Sequence, residues 1–187
     1  MSSAHLRIRS DLLLAAALIA CGGCTIGYAP NIRYLPQDGA QCIKERHSGD
    51  SCIIEIPQIG YLNVIINTLG SEQTDVTIRL APNPDVEVRW ASQELVLVDL
   101  ENGTTTLKPA LPTQSLSGKR QEPPIAGYLL ALYGPFLQGD FHLQKRIGRV
   151  ELRLPDIVSA AKVLPGIRFR YDDGPRVPVP VPLYHSH

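Results

Sequence analysis

Four cysteines, five histidines and one Ser-x-x-Lys spacing are the groups in this 187-residue chain whose types and positions could do chemistry. Cys21-Gly-Gly-Cys24 has the C-x-x-C spacing of a redox or metal pair, but such a pair needs a folded site that lowers a thiol pKa. Cys42 and Cys52 bracket a polar, turn-prone stretch around Ser48-Gly49-Asp50, and with His47 they offer only three of the four ligands of a closed zinc site. Ser159-Ala-Ala-Lys162 would set a serine nucleophile one helical turn from a lysine, yet its partner motifs S-D-N and K-T-G are absent. His185 and His187 share one side of an extended chain, and two ligands make no metal site alone. His142 lies near Asp140 in an alternating segment, and Asp172-Asp173 before Gly174 reads as a turn. G-x-S-x-G, H-E-x-x-H and phosphate-loop patterns are absent. The expectation is a chain with no catalytic residue, no metal and no cofactor.

Two basic stretches remain, Lys145, Arg146, Arg149 and Arg153, and Lys119-Arg120. On one face they would meet phosphate-bearing headgroups or an acidic partner. Lys+Arg and Asp+Glu balance at 18 each, so no global field draws the chain to nucleic acid. One Trp and three Phe give no aromatic platform for stacking bases.

The elements that must carry these groups begin with a targeting segment. Arg7 and Arg9 precede an apolar run over residues 12–20, too short for the ~20 residues of a spanning helix and suited to a secretory signal. Its end, Leu18-Ile19-Ala20-Cys21, resembles the lipobox of bacterial lipoproteins. The resemblance implies a diacylglyceryl group on the Cys21 sulfur, cleavage between Ala20 and Cys21, and an acylated, palmitate-type N-terminus at Cys21. Cys24 is preceded by Cys21-Gly22-Gly23 and lacks the aliphatic residue three positions back. Gly22 after the cysteine, rather than Asp, implies the outer membrane, facing the periplasm. That compartment is oxidising, so Cys42 and Cys52 are expected to pair, and Cys24 is left as the odd thiol.

Residues 22–41 hold four glycines, two prolines and no apolar period, and read as a flexible tether after the lipidated Cys21; the alternative is that its last part, with Tyr34 and Leu35, packs onto the domain as a first edge segment. From Cys52 onward the pattern has period two. Val76-Thr-Ile78-Arg-Leu80, Val86-Glu-Val88-Arg-Trp90, Val150-Glu-Leu152-Arg-Leu154 and Ile167-Arg-Phe169-Arg-Tyr171 alternate apolar and polar residues. Denser runs at 53–56, 62–68 and 95–100 read as more central strands. Asn102-Gly103 between two strand-like runs marks a hairpin. Residues 125–133 fit a strand or a short helix, with a slight preference for strand.

These signals predict an all-β protein, an antiparallel β-sandwich over residues 42–174 that is broadly immunoglobulin-like, with eight or nine strands and a short helix or turn near 156–164. Residues 109–124 read as a long exposed loop, and 175–187, with alternating prolines, as an edge strand or tail. The expected function is a lipid-anchored cell-envelope module that binds or supports another envelope protein or a cell-wall component, without enzymatic activity. The alternative is a small envelope enzyme or ligand-binding protein whose site is assembled from residues distant in sequence.

Overall fold

A computed structural model of the chain describes residues 26–36, 42–43, 51–69, 72–120, 127–160 and 162–180. The segment holding Ala20, Cys21 and Cys24, and the terminal His185 and His187, lie outside the described residues. The compact body runs from Ile32 to Gly174; residues 26–31 and 175–180 continue the first and last strands and belong to a second unit.

Fourteen strands are described: β1 Ile26–Pro36, β2 Cys42–Ile43, β3 Ser51–Ile56, β4 Gly60–Leu69, β5 Gln73–Pro82, β6 Glu87–Trp90, β7 Glu94–Asp99, β8 Thr105–Pro109, β9 Leu116–Ser117, β10 Leu137–Leu143, β11 Arg149–Arg153, β12 Ile157–Ser159, β13 Val163–Leu164 and β14 Arg168–Pro180. A 3-10 turn, Gly127–Leu129, leads into the short helix α1, Leu130–Tyr133. Sheet A has the order β1-β14-β11-β7-β8, sheet B β10-β5-β4-β3-β2, and sheet C β13-β12-β6-β9. Ten pairings of these strands, among them β4–β5, β11–β14 and β7–β8, are antiparallel, and the protein is an all-β, sandwich-like fold.

Alternation explains the packing. Leu62, Val64 and Ile66 of β4, Val76, Ile78 and Leu80 of β5, and Leu137 and Phe141 of β10 enter one apolar core with Leu95 and Leu97 of β7, Val150 and Leu152 of β11, and Phe169 and Tyr171 of β14. Trp90, the only tryptophan, joins that core fully buried. Sheet C was not foreseen as a separate layer. It arises because two neighbouring strands leave sheet A together: Val96 faces Arg153 and Trp90 faces Ile157, so six residues on one strand span four on the other. The surplus and Pro155 bend the pair, and the Ala91 amide donates to the Asp156 carbonyl at 2.9 Å across the bend.

Several expectations need correction. Residues 26–36, read as part of the tether, form β1, and Tyr34 is buried against Phe169 and Tyr171 with ring centroids 5.3 and 5.5 Å away. One aromatic in a Gly- and Pro-rich stretch carries no periodic signal, so only the partner rings reveal the strand. Residues 127–133 form the 3-10 turn and α1, which packs against β4 and β5. Residues 109–124 are not strand-free: Leu111 is buried and β9 pairs with β6. Of the short helix or turn expected near 156–164, the turn is present: β12 and β13 pair as a hairpin closed at Ser159 and Lys162. The prolines Pro175, Pro178 and Pro180 lie on β14 beyond Asp172, where its ladder with β11 ends, so their missing N–H groups break no bond of that ladder.

The Asn102-Gly103 hairpin joins β7 to β8 as expected. Gly103 has φ of +68°, and its amide donates to the Asp99 carbonyl at 2.8 Å. Cys42 and Cys52 form a disulfide between β2 and β3, with Cα atoms 5.1 Å apart. Cys42 faces Ile54 in register, so Cys52 is its diagonal neighbour on the same face.

Two measurements test this packing. Closing the ten-residue separation is worth about 3 kcal/mol on the loop-entropy model, so reduction, or Cys42→Ala with Cys52→Ala, is expected to lower unfolding stability by that order in denaturant titrations. Asn63, on β4, is fully buried, and neither its Oδ1 nor its Nδ2 has a hydrogen-bond partner among the described residues. Asn63→Leu, with the same branching and number of side-chain heavy atoms, is expected to stabilise the fold by about 1–3 kcal/mol; a loss of stability both in this variant and in the smaller Asn63→Val would show that the amide is satisfied.

Candidate functional site

The chemistry-bearing residues singled out from the sequence are dispersed over the body. Ser159 and Lys162 close the β12–β13 hairpin. The Ser159 hydroxyl donates to the Lys162 carbonyl at 3.1 Å, while Lys162 Nζ reaches Gln58 Oε1 at 3.4 Å. The serine is committed to the turn and the ammonium points elsewhere, so the S-x-x-K spacing assembles no nucleophile and base. His142 is on the exposed face of sheet B, its Nδ1 2.7 Å from Asp75 Oδ1. Asp140, two residues earlier, accepts from Thr77 Oγ1 at 2.6 Å and from Gln138 Nε2 at 2.8 Å. Arg149 lies on sheet A beside Asp172, 3.5 Å away, and Tyr128 is on the 3-10 turn. His142, Asp140, Arg149 and Tyr128 therefore share no pocket. Among the described residues, no group of three or more His, Cys, Asp or Glu converges.

The basic stretch 145–153 divides into two environments. Lys145 and Arg146 sit in the loop between β10 and β11. Lys145 Nζ donates to Asp99 Oδ2 at 2.8 Å. Asp99 also accepts from the Asn102 side chain at 3.0 Å and from the backbone amides of Glu101 and Asn102 at 3.0 and 3.2 Å. The Lys145 hydrogen bond first, then those of Asn102 and the backbone, holds the Asp99 carboxyl far below the usual carboxylate range, against the opposing effect of burial. Arg146 donates to Asp173 Oδ2 through Nε at 3.0 Å and Nη2 at 2.6 Å. That bond and the charge of Asp173 raise the Arg146 pKa. Asp99, Lys145, Arg146 and Thr106 border a cavity of about 170 Å³ between the β7–β8 hairpin and this loop. Lys145 and Asp99 pair at its rim and tie the β10–β11 loop to the end of β7, while Arg146 turns to Asp173 on β14.

Arg149 and Arg153 belong to the outward face of sheet A. Alternation on β11 sends Val150 and Leu152 into the core and turns Arg149, Glu151 and Arg153 outward. Across the ladder, Glu151 faces Arg170 and Arg153 faces Arg168. Glu151 is nonetheless buried, 4% exposed. Arg153 Nε donates to its Oε1 at 2.7 Å and Arg170 Nε to its Oε2 at 3.2 Å. The Arg153 hydrogen bond leads in lowering the Glu151 pKa; burial opposes it, and Arg170 reinforces it. The side chains of both arginines remain about half exposed. Reading runs along the chain picks out Arg149 and Arg153 but misses Arg168 and Arg170, because register and not sequence proximity joins the strands. The available signal was the basic alternate of Ile167-Arg-Phe169-Arg-Tyr171.

No protein-family model matches the chain, and no curated protein matches it. Among solved structures, one described as "X-ray structure of Northeast Structural Genomics Consortium target SoR45" aligns with 83% of this chain and 92% of its own, at 13% identity and a TM-score of 0.28.

The lowered Glu151 pKa sets a pH dependence. A carboxylate with a depressed folded-state pKa stabilises the fold fully above its unfolded value, about 4.5, and loses that contribution as pH falls through the folded value. The stability gap between wild type and Glu151→Gln, from urea titrations, is expected to be constant near neutrality and to shrink below about pH 4.5. A gap independent of pH down to full acid unfolding would remove the two-arginine clamp from the account.

Proposed function

We propose that this chain is a lipid-anchored cell-envelope protein whose β body acts as a non-enzymatic binding or structural module for another envelope component, an envelope protein or the cell wall. The carrying observation is the lipobox-like Leu18-Ile19-Ala20-Cys21 at the end of a basic, short apolar segment. The body supports the reading in kind. Its candidate nucleophile, histidine and carboxylates are tied into turns and ladders, and its polar variety lies on broad sheet faces. Two or three acyl chains on Cys21 would give stable attachment, at ~0.8 kcal/mol for each buried CH2. The apolar run over residues 12–20 is shorter than the ~20 residues of a spanning helix, and the anchor in this proposal is the lipid. Outer-membrane placement, facing the periplasm, follows from Gly22 and belongs to the same proposal.

Metabolic labelling with an alkyne-bearing palmitate analogue tests the anchor. Incorporation into wild type and Cys24→Ala, and none into Cys21→Ala, is the expected result. Label on the Cys21→Ala chain, or on none of the three, would end the lipoprotein reading. Cross-linking in intact cells, followed by recovery of the labelled chain, identifies the envelope component.

A further inference from the structure

The outward face of sheet A combines cations with exposed apolar residues in an arrangement that ordinary solvation does not require. Only five large hydrophobic side chains are strongly exposed among the described residues, and two of them, Leu35 at 52% and Leu107 at 57%, fall on this face. Leu35 follows the inward-packed Tyr34 on β1 and so points outward. Leu107 on β8 is in register with Val96, which is in register with Arg153. Since β1 and β8 are the two edges of the five-stranded sheet, the leucines flank it about 19 Å apart, four strand spacings.

Between them lies the Glu151 clamp. Arg153 and Arg170 each use Nε on the buried carboxylate, and their Nη groups make no hydrogen bond among the described residues. Leaving aside Arg168, which has a partner of its own, Arg149, Arg153 and Arg170 balance Glu151, Asp172 and the outward Glu94 of β7, so the cationic character of the face is local to the arginine Nη groups. Two half-exposed arginine side chains held in place through Nε, and apolar residues at both rims, match a plane of monoanionic phosphodiesters over hydrocarbon.

We propose that this face docks on the surface of an anionic phospholipid bilayer, the Nη groups of Arg153 and Arg170 taking headgroup phosphates while Leu35 and Leu107 enter the interface. The anchored reading contributes nearness. From Cys21 to Ile32, where the body begins at an edge strand of this sheet, eleven residues reach at most about 36–40 Å. An acidic protein would satisfy the guanidinium groups but gives the two rim leucines no role.

The test uses the full chain carrying Cys21→Ser, which accepts no lipid, so its outcome is independent of whether wild type is acylated. Leu107→Trp supplies a reporter, because Trp90 is fully buried and gives a constant background. With vesicles of phosphatidylglycerol and phosphatidylcholine, the expected result is a blue-shifted emission that brominated acyl chains quench. Vesicles of phosphatidylcholine alone should give a weaker response. The triple variant Glu151→Gln, Arg153→Gln, Arg170→Gln neutralises the clamp without stranding a buried charge, and its affinity for the anionic vesicles is expected to fall at least five-fold. Leu35→Ser leaves the core untouched and should also weaken the response. An unshifted reporter on vesicle-bound chain, or equal response to both lipids, overturns the proposal. Binding to polyglutamate with no vesicle response would do the same and assign the face to an acidic protein.

Discussion

A carboxylate buried in the middle of a sheet face must be neutralised where it sits, and Glu151 imposes that condition on sheet A. Desolvating a lone carboxylate would push its pKa up, and two arginine Nε donors reverse the direction. One arginine is two residues along β11 and the other is directly opposite on β14. The clamp therefore works only when the two strands are in one register. A shift by a single residue would set Glu151 against Phe169 or Tyr171 and turn the apolar side chains of β14 outward. The same register carries Phe169 and Tyr171 to Tyr34, which ties β1 to the body. Core packing and the charge of the outward face are thus two consequences of one strand alignment.

The parts of this fold that show in the sequence are those whose cause is local. Val76 to Leu80 and Val150 to Leu154 alternate because each strand has one wet face, and the structure places them in β5 and β11. The Asn102-Gly103 hairpin shows because a positive φ is required there. The Cys42–Cys52 pair shows because two cysteines ten residues apart bracket a polar stretch whose sequence, Ser48-Gly49-Asp50, is turn-prone. What stays hidden depends on distant partners. Tyr34 becomes core only through Phe169 and Tyr171. Sheet C exists because β6 and β12 bend away from sheet A together, which neither strand signals alone. Residues 127–133 carry apolar residues at a spacing open to both periods, and packing on β4 and β5 decides for the helix.

The candidate surfaces follow the same division. A run such as Lys145, Arg146, Arg149 and Arg153 looks like one basic patch, but a strand begins in the middle of it. Lys145 and Arg146 precede β11 and close onto Asp99 and Asp173, so their charge is consumed internally. Arg149 and Arg153 are on the strand, and period two puts them on the same side as Glu151. Their true neighbours are Asp172, Arg170 and Arg168, some twenty residues away in sequence. Summed along the chain, basic density predicts a patch at the loop; summed across the ladder, it lies on the face of sheet A.

That distinction bears on how an all-β body acquires a surface for a partner without a pocket. Each inward side chain is fixed by the core, so freedom lies in the outward alternates and in the two edges. On sheet A the central outward positions hold a charge cluster whose members constrain one another, and the edge strands hold single exposed leucines. Neither kind of residue is the most stabilising choice for its position. The leucines expose apolar area to water, and a buried carboxylate with two arginines is, on general grounds, no more stabilising than apolar side chains of the same volume. An arrangement that folding does not favour, with an ionic cluster on β11 and β14 and an exposed leucine on each edge strand, calls for an explanation outside the folded chain. A charged, apolar-rimmed plane supplies it with two terms that reinforce one another: phosphate for the guanidinium groups and hydrocarbon for the rims.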